Sequence, residues 1–260
     1  MIPISRLNPW IQPLQGGTTG GRLCCFAHAG GSATSFFSFA RLLAADVEIA
    51  AIQYPGRGPR LHERPFSEIN ALASACVDAL LASAWIEGGD YGFLGFSFGA
   101  SVSFAVTLEL ARRGLPGPRF LALGGRLPPG QRGPVDFSKL ASLPDRDFVA
   151  ALIDHYGDPD GLLKNSEIAT MILPALRADL QALGAWSPRK PARVDVPITA
   201  FAGREDPSVS LASLEPWARH TSASFRSLQV PGQHFVIHGN AHAVAAEVEG
   251  LLALTRAAAP

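Results

Sequence analysis

In Tyr91-Gly92-Phe93-Leu94-Gly95-Phe96-Ser97-Phe98-Gly99-Ala100 a short apolar run reaches a serine bracketed by glycines, and an amphipathic pattern then continues to Arg113. An apolar run closed by Gly-x-Ser-x-Gly reads as a buried strand turning sharply into a helix. A serine at such a turn needs small neighbours two positions away on either side, because a side chain there meets the adjoining strand or helix. The helix that follows points its first N–H groups and the positive end of its dipole at the turn. Ser97 is therefore the candidate nucleophile. The pentapeptide alone is a common pattern, and its weight comes from the strand before it and the helix after it.

Working outward from this turn, apolar runs at residues 23–27, 47–53, 91–95, 120–124, 198–202 and 224–230 read as strands. Helical patterns occupy residues 33–44, 67–84, 98–113, 211–219 and 241–255. Strands alternating with helices predict an α/β fold around a mostly parallel central sheet flanked by helices. Ala29-Gly30-Gly31-Ser32 follows the first of these strands and supplies small residues and an N-cap for a tight strand-to-helix turn. Residues 127–186 break the rhythm: they are helical in pattern, rich in Pro and Asp at the start, and contain no strand-like run. The expectation is a single domain over residues 1–260, with 127–186 inserted as a helical lid above the carboxyl edge of the sheet. An ordinary pair of crossover helices is the alternative.

A serine hydroxyl needs a base, and the base needs a third group to orient it. In a sheet of this kind the order along the chain is serine, acid, histidine. Of seven histidines, only His220, His234, His238 and His242 come late enough. His234, in Pro231-Gly232-Gln233-His234-Phe235, sits on a short loop after the strand at 224–230, where a catalytic base belongs. His238 is its nearest rival. The acid falls in Gly203-Arg204-Glu205-Asp206-Pro207, after the strand at 198–202; Asp206 is the first choice and Glu205 the runner-up. An oxyanion hole takes two backbone N–H groups: that of Phe98, directly after the nucleophile, and one from His28-Ala29-Gly30-Gly31, with Ala29 the first choice. Phe96 and Phe98 flank Ser97 and are expected either to pack in the core or to line the acyl pocket as substrate-binding residues.

Composition narrows the classes. The chain has 260 residues, with 22 Lys plus Arg against 22 Asp plus Glu, so no net field points to nucleic acid or to an anionic membrane. Hydrophobic residues make up 47% and charged residues 17%, which suits one globular core rather than disorder. No apolar stretch approaches the roughly 20 residues that span a bilayer, and the N-terminal MIPISRLNPWIQPL does not look like a signal peptide. Cys24, Cys25 and Cys76 form neither a disulfide framework nor a zinc spacing. A cytoplasmic enzyme without a metal or other cofactor is expected, and a monomer, since no long apolar surface stripe stands out.

Phe26-Ala27-His28-Ala29-Gly30-Gly31-Ser32, Tyr54-Pro55-Gly56-Arg57-Gly58, Gly95-Phe96-Ser97-Phe98-Gly99-Ala100, Gly203 to Pro207 and Gly232-Gln233-His234-Phe235 together resemble type II thioesterases. These are discrete α/β-hydrolase enzymes that accompany modular polyketide and nonribosomal peptide synthases. Leu173-Pro174-Ala175-Leu176-Arg177-Ala178-Asp179, inside the expected lid, resembles the family too. The resemblance implies Ser97 as acyl acceptor, His234 as base and Asp206 as orienting acid. It also implies a substrate presented as a thioester on the phosphopantetheine arm of an acyl or peptidyl carrier protein, with water as final acceptor. Two positions depart from the family pattern: Phe96, often His, and Phe98, often Met or Leu. Carrier proteins are usually acidic, so Arg57, Arg60 and Arg64 are candidates for a docking rim. The competing readings are a small-ester carboxylesterase, a releasing or cyclising acyltransferase, and a non-catalytic acyl-carrier-binding protein.

Overall fold

Seven strands form one sheet: β1 (Ile11–Gln15), β2 (Arg22–Phe26), β3 (Glu48–Ile52), β4 (Tyr91–Phe96), β5 (Leu121–Gly124), β6 (Ile198–Gly203) and β7 (Phe225–Val230). Their spatial order is β1-β3-β2-β4-β5-β6-β7; β1 runs antiparallel to β3 and every other pairing is parallel. The computed structural model describes residues 8–158, 161–188, 190, 192–239 and 241–257. The N-terminal residues 1–7, read above for a leader, and the tail residues 258–260 lie outside them.

Burial explains why the inner strands read so clearly. Every residue of β4, β5 and β6 is buried, as expected where helices cover both faces of a parallel sheet. The two edges read less clearly. In β7 most positions are only partly covered. β1 was not expected as a strand at all: Pro13 interrupts its sequence, and the register shifts between Pro13 and Gln15. A proline that cannot donate is tolerated in such an edge strand and at such an irregularity.

The helices are α1 (Phe37–Ala40), α2 (Ile69–Ala82), α3 (Phe98–Arg112), α4 (Phe137–Ala141), α5 (Asp145–Tyr156), α6 (Ser166–Ala185), α7 (Leu211–Leu214), α8 (Val236–Gly239) and α9 (Ala241–Ala257). Two expected helices are shorter than their patterns. Residues 33–44 form a 3-10 turn, Ala33–Phe36, followed only by α1. Phe36, which closes the 3-10 turn, and Phe39, on α1, are the buried aromatic pair there. At residues 211–219, α7 ends at Leu214 and a 3-10 stretch, Glu215–His220, takes over, because Pro216 cannot continue the α-helical ladder. Between β5 and β6 the described residues contain α4, α5 and α6 and no strand. None of the described helices is long and apolar enough to cross a membrane.

The chain leaves β2 for β3 on one side and returns to β4 on the other. The crevice for a ligand in an open α/β sheet lies at such a switch, outside the carboxyl ends of the strands. Here those ends carry the loop at residues 27–32 and Ser97.

Candidate active site

Ser97 sits between β4 and α3 with φ +51° and ψ −111°. With Ala84 it is one of two non-glycine residues at positive φ among the described residues. Such a conformation costs on the order of 1–3 kcal/mol and persists only where its surroundings hold it. Those surroundings are tight. Ser97 N–H donates to Gly124 O (2.8 Å) on the neighbouring strand. A Cβ on Gly99 would lie 1.9 Å from Phe26 O, and one on Gly95 would lie 2.4 Å from Gly99 O. The glycines on both sides of the serine therefore let α3 press directly on β2 and β4, which aims the start of α3 at the crevice.

His234, on the loop between β7 and α8, is 5% exposed. Its Nε2 lies 3.2 Å from Ser97 Oγ, and its Nδ1 lies 2.8 Å from Asp206 Oδ2. The other oxygen of Asp206 accepts from the N–H groups of Ser208 (2.8 Å) and Val209 (3.2 Å), so the carboxylate is fixed on both sides. Its loop and the histidine's loop touch: a Cβ on Gly203 would lie 2.2 Å from Gln233 O. Glu205, the alternative acid, turns the other way and accepts from Gly232 N–H (2.6 Å), tethering the histidine loop rather than the histidine. Among the other late histidines, His220 Nδ1 is 2.7 Å from Ala192 O and packs on Trp217, away from the serine. His242 lines a cavity wall, and the side chain of His238 lies outside what the structure describes.

The loop after β2 accounts for its donors one by one. Gly31 N–H bonds to His28 O (3.0 Å), and Gly30, at φ +72°, donates its N–H to Asp179 Oδ2 (2.8 Å). That leaves Ala29 N–H without an acceptor among the described residues, and the same is true of Phe98 N–H at the start of α3. Asp179 stands on α6, fully buried, and also takes both arms of Arg57: Nη1 to Oδ2 at 2.6 Å and Nη2 to Oδ1 at 2.9 Å. Arg57 further reaches Pro55 O and Gly31 O. Burial works against the Arg57 charge, and Asp179 more than offsets it, so its pKa is raised. One carboxylate on α6 thus ties together the β2 loop and the Tyr54–Gly58 turn.

This corrects the docking-rim expectation for two of its three arginines. Arg57 is 4% and Arg60 6% exposed, and Arg60 is bound to Gln53 O and Glu63 and stacked over Trp10. Arg64 alone is exposed. The pocket role of the two phenylalanines is corrected as well. Phe98 is buried against Tyr54, and Phe96 lies over Gly124 and beside His234; neither lines a cavity at the serine.

Two cavities meet at Ser97 and His234. One, about 800 Å³, is walled by the β2 loop and by Leu152, Leu163, Leu176 and Leu180 of the helical segment. The other, about 630 Å³, is walled by residues 125–138 with Trp186, Ser208 and Val209. Tyr156, which the sequence reading passed over, lines both and packs on His234 with ring centres 4.9 Å apart. Burial pushes its phenol up to about 12. Arg126 was also passed over, although its place just beyond a parallel strand's carboxyl end is a ligand-binding position. Among the described residues no cluster of His, Cys, Asp or Glu is suited to hold a metal ion.

Residues 21–252 match the family described as Thioesterase domain. The chain is 34% identical to Thioesterase PikA5 of Streptomyces venezuelae over 91% of its own length and 83% of that protein's. Among solved structures it is similar to RedJ, the thioesterase of the prodiginine pathway in Streptomyces coelicolor, with a TM-score of 0.80, 33% identity, and coverage of 88% of this chain and 85% of that one. It is also similar to the type II thioesterase BorB from the borrelidin cluster, with a TM-score of 0.84, 28% identity, and coverage of 94% and 98%.

Proposed function

This chain belongs to the thioesterase family, and on that premise we propose that Ser97, His234 and Asp206 hydrolyse acyl groups from the phosphopantetheine arm of a carrier protein serving a polyketide or nonribosomal peptide synthase. The observation that carries this reading is the line of contacts Asp206–His234–Ser97, at 2.8 and 3.2 Å, ending on a serine held at positive φ.

Asp206, fixed by two backbone N–H groups, holds the imidazole with Nδ1 protonated and Nε2 free to accept. Ser97 Oγ gives its proton to Nε2 as it bonds to the thioester carbonyl carbon. The oxygen that becomes negative is met by the free N–H groups of Ala29 and Phe98. Collapse of this intermediate breaks the C–S bond, and the thiolate leaves with the proton from the imidazolium. Water, deprotonated by His234, attacks the acyl-serine in turn; the bond from the acyl carbon to Ser97 Oγ breaks, Oγ takes the proton back from the imidazolium, and the carboxylic acid is released. The two cavities at Ser97 give the acyl chain and the phosphopantetheine arm separate approaches, and the helical segment 127–186 acts as a lid that excludes bulk water. The enzyme works as a cytoplasmic monomer, and its three buried thiols are consistent with a reducing compartment.

Ser97→Ala is expected to fold with an unchanged melting temperature and to lose at least about 1,000-fold in thioester turnover. Retained hydrolysis, or failure of a fluorophosphonate to label Ser97 in the unaltered protein, would refute the assignment. Comparing an acylated carrier protein with a matched small ester separates this reading from that of a general carboxylesterase.

A further inference from the structure

Gly124-Gly125-Arg126 leaves the carboxyl end of β5, the strand paired with the nucleophile's own strand. Arg126 lines the cavity at residues 125–138 that opens on Ser97. Its Nε donates to Ser101 Oγ (3.0 Å), and its guanidinium lies 5.0 Å from the ring centre of Phe137. No carboxylate among the described residues is within ion-pair distance of it, and neither Nη has an acceptor there. The acids around this cavity are already engaged. Asp206 is spent on His234, Ser208 and Val209, while Asp136 caps the N–H of Lys139. Burial alone pulls the pKa of Arg126 down to about 10, against the favourable influence of Tyr156.

A guanidinium offers five N–H donors, and Arg126 is only partly covered, so its two Nη groups stay available to an anion that enters the cavity. The geometry points to the cavity at 125–138 as an acyl subsite in which Arg126 receives a carboxylate at the far end of the acyl chain. The substrate class is then thioesters of dicarboxylic acids, bound through one end and cleaved at the other. Reach supports this choice. Ser101 is one helical turn beyond Ser97, about 6 Å along α3. A chain with two or three methylenes between thioester and carboxylate spans about 4–5 Å. The phosphate of the pantetheine arm is about fourteen bonds from the thioester and overshoots that distance when extended.

This inference rests on Ser97 as nucleophile, so the test keeps the two apart. Glutaryl and valeryl groups, one with and one without the terminal carboxylate, are presented on a phosphopantetheinylated carrier protein and on N-acetylcysteamine, which lacks the phosphate. Hydrolysis of the valeryl substrates and its loss in Ser97→Ala test the underlying reading alone. For Arg126→Gln, the ratio of kcat/KM for glutaryl over valeryl is expected to fall about 100-fold on both thiols, with Arg126→Lys in between. An unchanged ratio overturns the inference and leaves Arg126 a structural prop. A loss confined to carrier-bound substrates, whatever the acyl group, also overturns it and assigns the phosphate instead. Should the variants misfold, the unaltered enzyme decides: glutarate is expected to inhibit valeryl hydrolysis at least tenfold more strongly than valerate, and equal inhibition refutes the subsite.

Discussion

Arg57 and Arg126 stand on the β2 and β5 sides of the nucleophile's strand, each in the wall of a cavity, and the protein uses them in opposite ways. Arg57 is gripped by both oxygens of Asp179 and by two backbone carbonyls. Arg126 meets one hydroxyl and one aromatic face. Arg57 is buried and Arg126 only partly so; burying a cation is costly, and for Arg57 a bidentate carboxylate with its hydrogen bonds satisfied offsets that cost internally. Arg126, partly exposed and without a carboxylate, keeps its donors open to something that enters. A paired arginine beside a cavity is scaffolding, and an unpaired one is a receptor.

The difference should show first in stability. Asp179→Ala strands a buried guanidinium and is expected to cost about 3–5 kcal/mol, read as a drop in melting temperature of roughly 10 °C. Because Gly30 N–H loses its acceptor too, kcat of the surviving enzyme should fall with it. Arg57→Lys keeps the charge but loses the fork, and about 1–2 kcal/mol is expected in a denaturant titration. A smaller effect is expected at Glu109, on the outer side of α3. Hydrogen bonds from Arg112, and after opposing burial from Arg113, hold its carboxyl down at about 2, against an ordinary 4.5. A depressed carboxyl stabilises the fold above pH 4.5, and that contribution disappears as pH falls toward 2. Arg112 is half exposed, so the amount is about 1 kcal/mol. Glu109→Gln should flatten the stability curve between those two pH values and leave it unchanged near neutrality in slope. Smallest of all is Arg126→Gln, expected to shift stability by less than about 1 kcal/mol in either direction, since no carboxylate is stranded and only the Ser101 hydroxyl loses a donor. A loss there as large as that of Asp179→Ala would erase the distinction between the two arginines.

How much of this was legible beforehand follows from how local each signal is. The strand, elbow and helix around Ser97 could be read because the need for glycine at 95 and 99 is a matter of a few neighbouring atoms. The inner strands could be read because burial on both faces makes them continuously apolar, whereas β1, with Pro13 at an edge, carries no such mark. Asp206 and Glu205 are adjacent on one loop, and nothing short of the fold shows that one faces the imidazole and the other the Gly232 amide. Arg57 looked like a surface cation because its partner is 122 residues away in the chain. Phe96 and Phe98 looked available to a ligand because the sequence does not say which side of the elbow faces the core. Arg126 carried only a positional hint.

The carboxylate on α6 has a mechanical consequence. Access to the serine through a raised α6 would withdraw Asp179 from Gly30 and Arg57 in the same movement, and the β2 loop would lose the bond that sets its shape. Cover and chemistry would then be interlocked: with α6 lifted the β2 loop would be disarmed, and only with the helix seated does Asp179 hold it. Grafting this segment from a relative would need the matching acid at the matching turn, or the graft would close over a loop that nothing holds.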